Sequence, residues 1–263
     1  MIKALYTSAT GMNAQQTVID NTANNLANVN TNGFKRSQVN FQDLIYVTDQ
    51  PPGSEAAQGL QLPNGTQVGS GVRVSGTTKI FTPGDLVNTG NPLDIAIEGD
   101  GFIQITLPNG EINYTRDGSL QLNSNGNLVS SSGFLVQPQV SIPQEAVSVS
   151  IGSDGTVSVV NAGSTTTSTV IGQLTLVRFP NPAGLSSQGG NLYQQTPSSG
   201  APIIATPGLN GTGLIQQSFL EKSNVDVVAE MVNLILAQRA YEFNTRAIRT
   251  ADDMLSNTAA ITR

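Results

Sequence analysis

The two ends of this 263-residue chain carry matching seven-residue repeats. Near the start, Leu5, Met12, Ile19 and Leu26 recur every seven residues, and Ile2, Ala9, Gln16 and Ala23 stand three residues before each of them. Near the end, Val227, Leu234, Tyr241, Ile248 and Leu255 recur at the same interval. Met231 and Ala259 lie in the intervening row, with Gln238, Thr245 and Asp252 as its polar members. A 3–4 alternation sustained over several heptads marks a helix that buries one stripe against another helix. Ser223 or Asn224 can cap the second helix, and Asp226 falls in its first turn, where the helix dipole favours an acid. Glu242 stands four residues before Arg246, the favourable order for a surface pair. Two such segments most simply pack on each other; the alternative is that each docks separately on the part between them.

That middle part has a different grammar. Short alternating runs such as "LDIAIEGDGFIQITL" (93–107), "VSVSIGSDGTVSVV" (147–160) and "IGQLTLVRF" (171–179) have the period of half-buried strands. Eight Asn-Gly or Asp-Gly pairs punctuate the chain, including Asp100-Gly101, Asn109-Gly110, Asp117-Gly118, Asn125-Gly126 and Asp154-Gly155, and such pairs supply the positive φ of tight hairpins. No repeat period emerges that would suggest a solenoid. Residues 46–71 hold adjacent prolines, several glycines and little apolar periodicity, which predicts an extended linker or long loop. The expected fold class is α+β. Terminal helices at 1–34 and 224–263 pair as a coiled coil, residues 35–71 form the linker, and 72–223 form a central, mainly antiparallel β domain.

Composition removes most chemistry. Histidine, cysteine and tryptophan are absent, so thiol and imidazole nucleophiles, thiolate or imidazole metal sites and disulfides are excluded. Asp94, Glu98, Asp100 and Asp117 are close in sequence, but Asp100 and Asp117 precede glycine and read as turn residues, and the other two as strand residues. "NSNGN" (123–127) lacks the acidic ligands of a calcium loop. We therefore expect no catalytic residues, no metal and no cofactor. Residues 37–223 carry twelve acidic and five basic residues, which argues against nucleic acid as a partner. No stretch reaches the roughly 18 apolar residues of a membrane span, and the start has no apolar run of signal-peptide length.

Only 11% of residues are charged, against about 25% in an ordinary globular protein, which suits a surface covered by neighbours. The first helix is the extreme case, since residues 4–34 hold one charge, Asp20. From Asn21 to Asn32, six of twelve residues are asparagine, a poor helix former. Asn21, Asn24, Asn25 and Asn28 fall opposite the apolar stripe. An amide face both donates and accepts, and avoids the cost of burying ions when helices crowd together. This predicts a subunit interface there; the alternative is a helix that frays toward the Asn32-Gly33 turn.

"ANNLANVNTNGFKR" (23–36) and "SNVDVVAEMVNLILAQRAYEFNTRAI" (223–248) resemble the paired terminal signatures of the bacterial flagellar axial proteins of rod and hook. "FTPGDLVNTGNPLDIAIEGDGFIQI" (81–105) and "YTRDGSLQLNSNGNLVSSSGFLVQP" (114–138) are similar to the β domain of the same family. The resemblance runs nearly end to end and is strongest to distal rod members, on "TPGLNGTGLI" (206–215) and on an extra segment at 46–65. In that segment Tyr46, Pro51, Pro52, Gly53, Pro63 and Gly65 are the residues of interest. The resemblance implies a non-enzymatic structural subunit polymerising into a rigid hollow tube, a drive shaft and export channel, with the extra segment wedged between subunits. It implies the chain itself, proximal rod proteins, the hook protein or its junction, P-ring and L-ring proteins and the flagellar type III export apparatus as partners. It implies a basal-body location in the periplasm, reached without a cleaved signal. Hook or proximal rod protein is the alternative within the family. A secreted β-rich glycan-binding protein or enzyme is the alternative outside it.

Overall fold

The computed structural model describes the backbone of residues 2–51, 55–57, 60–61, 64–161 and 168–261. The chain forms two compact units, one from Met1–Ala27, Ser37–Thr78 and Asp226–Arg263, the other from Asn28–Arg36 and Lys79–Val225.

In the first unit, helices α1 (Ile2–Ala27) and α2 (Val227–Ile261) pack along each other, as the matched heptads require. Asp226 caps α2, its carboxylate accepting from the N–H groups of Val228 (2.9 Å) and Ala229 (3.2 Å). The helices approach closely at Gly11, where an added Cβ would lie 2.9 Å from the Asn244 side-chain nitrogen. The Thr245 hydroxyl reaches the Met12 sulfur at 3.4 Å.

Residues 35–71, expected as a linker, are largely strand. Ser37–Asp43 pairs with Val72–Lys79, Tyr46–Gln50 pairs antiparallel with Thr66–Gly69, and Glu55–Ala57 pairs with Leu60–Gln61. Nested in this way, the ladders make one long hairpin. Backbone bonds of a two-stranded ribbon need no apolar alternation, so a strand with neither face covered leaves no period-2 signal. Tyr46–Gln50 is such a strand, exposed at every residue.

The second unit is built around an antiparallel sheet of nine strands. Its central strand, Phe102–Thr106, pairs with Ile112–Thr115 on one side and shares its other edge between Leu135–Gln137 and Leu176–Arg178. A three-stranded sheet, Ala146–Ile151, Thr156–Asn161 and Thr169–Gln173, contributes to the same core, in which Ile105, Val157 and Leu176 have no exposed surface. A second cluster sets Phe81, Phe102, Tyr114, Phe179 and Tyr193 edge to face, with ring centroids 4.8–5.9 Å apart. Three Asn-Gly or Asp-Gly pairs close hairpins of this unit, at 109–110, 125–126 and 154–155, each with its glycine at positive φ. Gly118 does not: its φ is not positive, and its role is a close backbone approach to Ile95.

Candidate assembly surface

The first heptad rows are partly covered. Leu5, Met12, Ile19 and Leu26 on α1, and Val227, Leu234, Ile248 and Leu255 on α2, are all half-buried, and Tyr241 is just exposed. The second inward row of α2 differs from the expectation. It runs through Glu230, Ala237, Asn244 and Ala251, one residue before Met231, which is 49% exposed. Methionine is the more apolar choice, but the burial pattern steps 227, 230, 234, 237, and small residues in that row suit the close approach at Gly11.

With Met231 turned outward, the first third of α2 is apolar nearly all round. Val228, Met231, Val232, Ile235 and Leu236 are exposed, while Val227, Leu234 and Ala237 are covered to differing degrees. A helix apolar on every face is normally buried on every face. In the same unit the hairpin exposes Phe41, Ile45, Tyr46, Val47 and Val68. Of the segment singled out by resemblance, Tyr46, Pro51 and the half-buried Gly65 are described, while Pro52, Gly53 and Pro63 lie outside the described residues.

The amide stripe divides. Asn25 is 1% exposed, and its amide serves one backbone residue twice: its nitrogen donates to the Ser37 carbonyl at 2.9 Å, and its oxygen accepts from the Ser37 N–H at 2.9 Å. Asn21 donates to the same carbonyl at 2.7 Å. These two, expected at a subunit interface, instead fasten the chain that returns along α1 after the Asn32-Gly33 turn. Asn24 is exposed and Asn28 half-buried, its side-chain oxygen accepting from the Thr31 hydroxyl at 3.2 Å.

The second unit holds a buried ionic cluster that sequence reading did not foresee. Glu221 accepts from Lys35 (2.5 Å) and the Gly84 N–H (2.9 Å) on one oxygen, and from Arg116 Nε (2.6 Å) on the other. Arg116 also donates to the Gly101 and Ile97 carbonyls, and Lys35 to the Thr82 carbonyl. Burial alone would raise the Glu221 carboxyl, but Arg116 and then Lys35 hold it below the usual range. Burial draws Lys35 down, against the pull of Glu221. Burial pushes the neighbouring Tyr193 up to about 12. The available signal was three adjacent charged pairs, Lys35-Arg36, Arg116-Asp117 and Glu221-Lys222, within a charge-poor chain.

Asp94 accepts from Thr89 and Asn91, and Asp117 from Ser119, so both act as local staples. No helix among the described residues is long and apolar enough to cross a membrane, and no group of metal-ligating side chains occurs among them. What the fold presents is surface for packing, the mark of an assembly subunit with helical ends and a β middle. Residues 5–35 match the family described as flagella basal body rod protein, and residues 96–159 that of the flagellar hook protein FlgE/F/G D1 domain. Residues 216–261 match the flagellar basal body rod FlgEFG protein C-terminal family. The chain is 51% identical to the flagellar basal-body rod protein FlgG of Buchnera aphidicola subsp. Schizaphis graminum, over 97% of this chain and 98% of that one. It is 46% identical to FlgG of Borreliella burgdorferi over 97% of each chain, and 39% identical to FlgG of Bacillus subtilis over the full length of both. A flagellar hook protein FlgE of Helicobacter mustelae matches at 44% over 52% of this chain and 30% of its own. The chain belongs to the flagellar basal-body rod protein FlgG family.

Proposed function

We propose that this chain is a non-enzymatic structural subunit of the distal rod, polymerising into a rigid hollow helical tube that carries torque from motor to hook and passes exported proteins. The observation that carries the reading is the outward apolar face of α2, Val228, Met231, Val232, Ile235 and Leu236, in a chain with few charges. A self-associating helix face of this kind, meeting a different patch on the next copy, extends into an open helical array. The terminal helices form the channel-lining domain, with Asn24 and Asn28 toward neighbouring subunits. The 46–65 segment, with Tyr46 exposed, wedges between copies and stiffens the shaft. Full-length similarity to basal-body rod proteins, against 30% coverage of the hook protein, favours rod over hook. In this role the chain meets proximal rod proteins, the hook or its junction, the P- and L-rings and the type III export apparatus, in the periplasmic part of the basal body.

The test is the double substitution Ile235→Glu and Leu236→Glu, followed by sedimentation and electron microscopy of concentrated protein and a motility assay in cells. Two carboxylates on the outward face should abolish tubes and swarming while the 79–225 unit keeps its native circular dichroism. Tubes formed at the parent concentration would refute the reading.

A further inference from the structure

Within the second unit, the C-terminal stretch 214–225 is joined to the body of the fold at every turn. Leu214–Gln217 pairs with Ile95–Glu98, and Phe219–Glu221 pairs with Leu86–Asn88. The Glu221 carbonyl accepts from the Gly33 N–H at 2.8 Å. The Asn224 side chain accepts from the Arg36 N–H at 2.8 Å and donates to the Ile80 and Thr82 carbonyls. At the centre lies Glu221, bonded to Lys35 across 186 residues of sequence and to Arg116 across 105.

Removing this stretch would leave Lys35 and Arg116 without their anion, and would take Ile215 out of the main core, to which it belongs. A buried charge that loses its partner is strongly unfavourable. A strap that merely lies on a finished domain would leave no such debt.

We propose that the Lys35–Glu221–Arg116 cluster is a closing latch: the 28–36 and 79–225 unit attains its native state only when residues 214–225 have joined it, and the whole unit opens and closes as one cooperative body. Read along the chain, the β unit stays open until all but the last helix has emerged. Lys35 sets the same condition on the N-terminal side, so the segment that follows α1 is fastened in the same event. The latch thus makes folding of this unit contingent on both its first segment, 28–36, and its last, 214–225.

The test is hydrogen exchange by mass spectrometry on the full chain carrying Glu221→Gln, a substitution close in shape that removes the anion. Protection in the central strands 102–106 and 176–178 should fall by the same factor as in 214–221, about 100-fold or more for a buried pair deprived of one partner. Lys35→Met, which keeps the Arg116–Glu221 pair, should give a smaller drop that is again equal in the two regions. Should Glu221→Gln leave no folded protein, Lys35→Met decides by the same comparison. Faster exchange confined to 33–36 and 214–224, with parental protection in 102–106 and 176–178, would overturn the proposal.

Discussion

Gly118 offers the sharpest test of how tightly the β unit is closed. A Cβ at this position would lie 1.7 Å from the Ile95 carbonyl oxygen and 2.7 Å from its carbon. Unbonded carbon and oxygen rarely approach closer than about 3.3 Å, so the turn at 117–119 must retreat from Ile95 by roughly 1.5 Å. That retreat breaks the bond from the Ile95 N–H to the Gly118 carbonyl (3.0 Å). It also parts Ile95 from Leu120, each 1% exposed in the main core. Orphaned buried backbone groups cost about 1–3 kcal/mol, and a strained core about 1–3 more, giving roughly 2–6 kcal/mol for Gly118→Ala. Gly110→Ala is the control. Gly110 has φ +83° and open space around it, so alanine there meets only the left-handed penalty of about 1–2 kcal/mol. Urea unfolding followed by circular dichroism separates the two. With a slope of about 2 kcal/mol per molar, the Gly118 variant should lose roughly 1–3 M in midpoint and the control less than about 1 M. Equal shifts, or a larger one at Gly110, would refute the claim that backbone approach rather than φ dictates glycine at 118.

Glu221 makes acid stability a second readout. Its carboxyl is held below the ordinary 4.5 in the folded unit, so its contribution is complete above that value and is lost as pH falls through the folded value. Urea midpoints should therefore decline below about pH 4.5, and Lys35→Met, with one cation fewer, should show a shallower decline; identical slopes would contradict the assignment. On α1, Asn25→Ala orphans the Ser37 N–H, while Asn21→Ala leaves the Ser37 carbonyl with Asn25. Thermal melting of the assembled protein at 222 nm should register about 2–4 kcal/mol for Asn25 and about 0.5–1.5 for Asn21, and the reverse order would contradict the geometry.

Local signals told most about structure where one face of an element is buried. The existence and spans of both helices, and the hairpins at Asn109-Gly110, Asn125-Gly126 and Asp154-Gly155, were legible because burial writes a period and tight turns require particular residues. The 37–79 hairpin was not legible as strand: Tyr46–Gln50 covers neither face, so composition pointed to a linker. Asp117-Gly118 carries a hairpin signature, yet its glycine is there for the Ile95 carbonyl, a contact distant in sequence that no local rule reports. The ionic cluster was hidden for the same reason, since its members come together only in the finished fold. Met231 misled in a different way: hydrophobicity pointed inward while the helical step placed Glu230 there, and the exposed methionine became part of the outward apolar face.

The asparagines show why residue type alone could not settle their role. Asn25 faces a residue whose N–H and carbonyl both need partners, and its amide donates from one atom and accepts at another with no charge to desolvate. Lysine there would satisfy the carbonyl alone, and glutamate the N–H alone, each burying an ion at a site 1% exposed. Asn24, one residue earlier and exposed, has the same chemistry turned away from Ser37. Amide-rich helices thus serve two ends by one means. On the inner side they replace a strand neighbour for the returning chain, and on the outer side they leave α1 free of charges that a crowded array of helices would have to desolvate. The first use is fixed by the hydrogen bonds to Ser37. The second is part of the function proposed above, in which the exposed Val228, Met231, Val232, Ile235 and Leu236 at the start of α2 meet neighbouring copies.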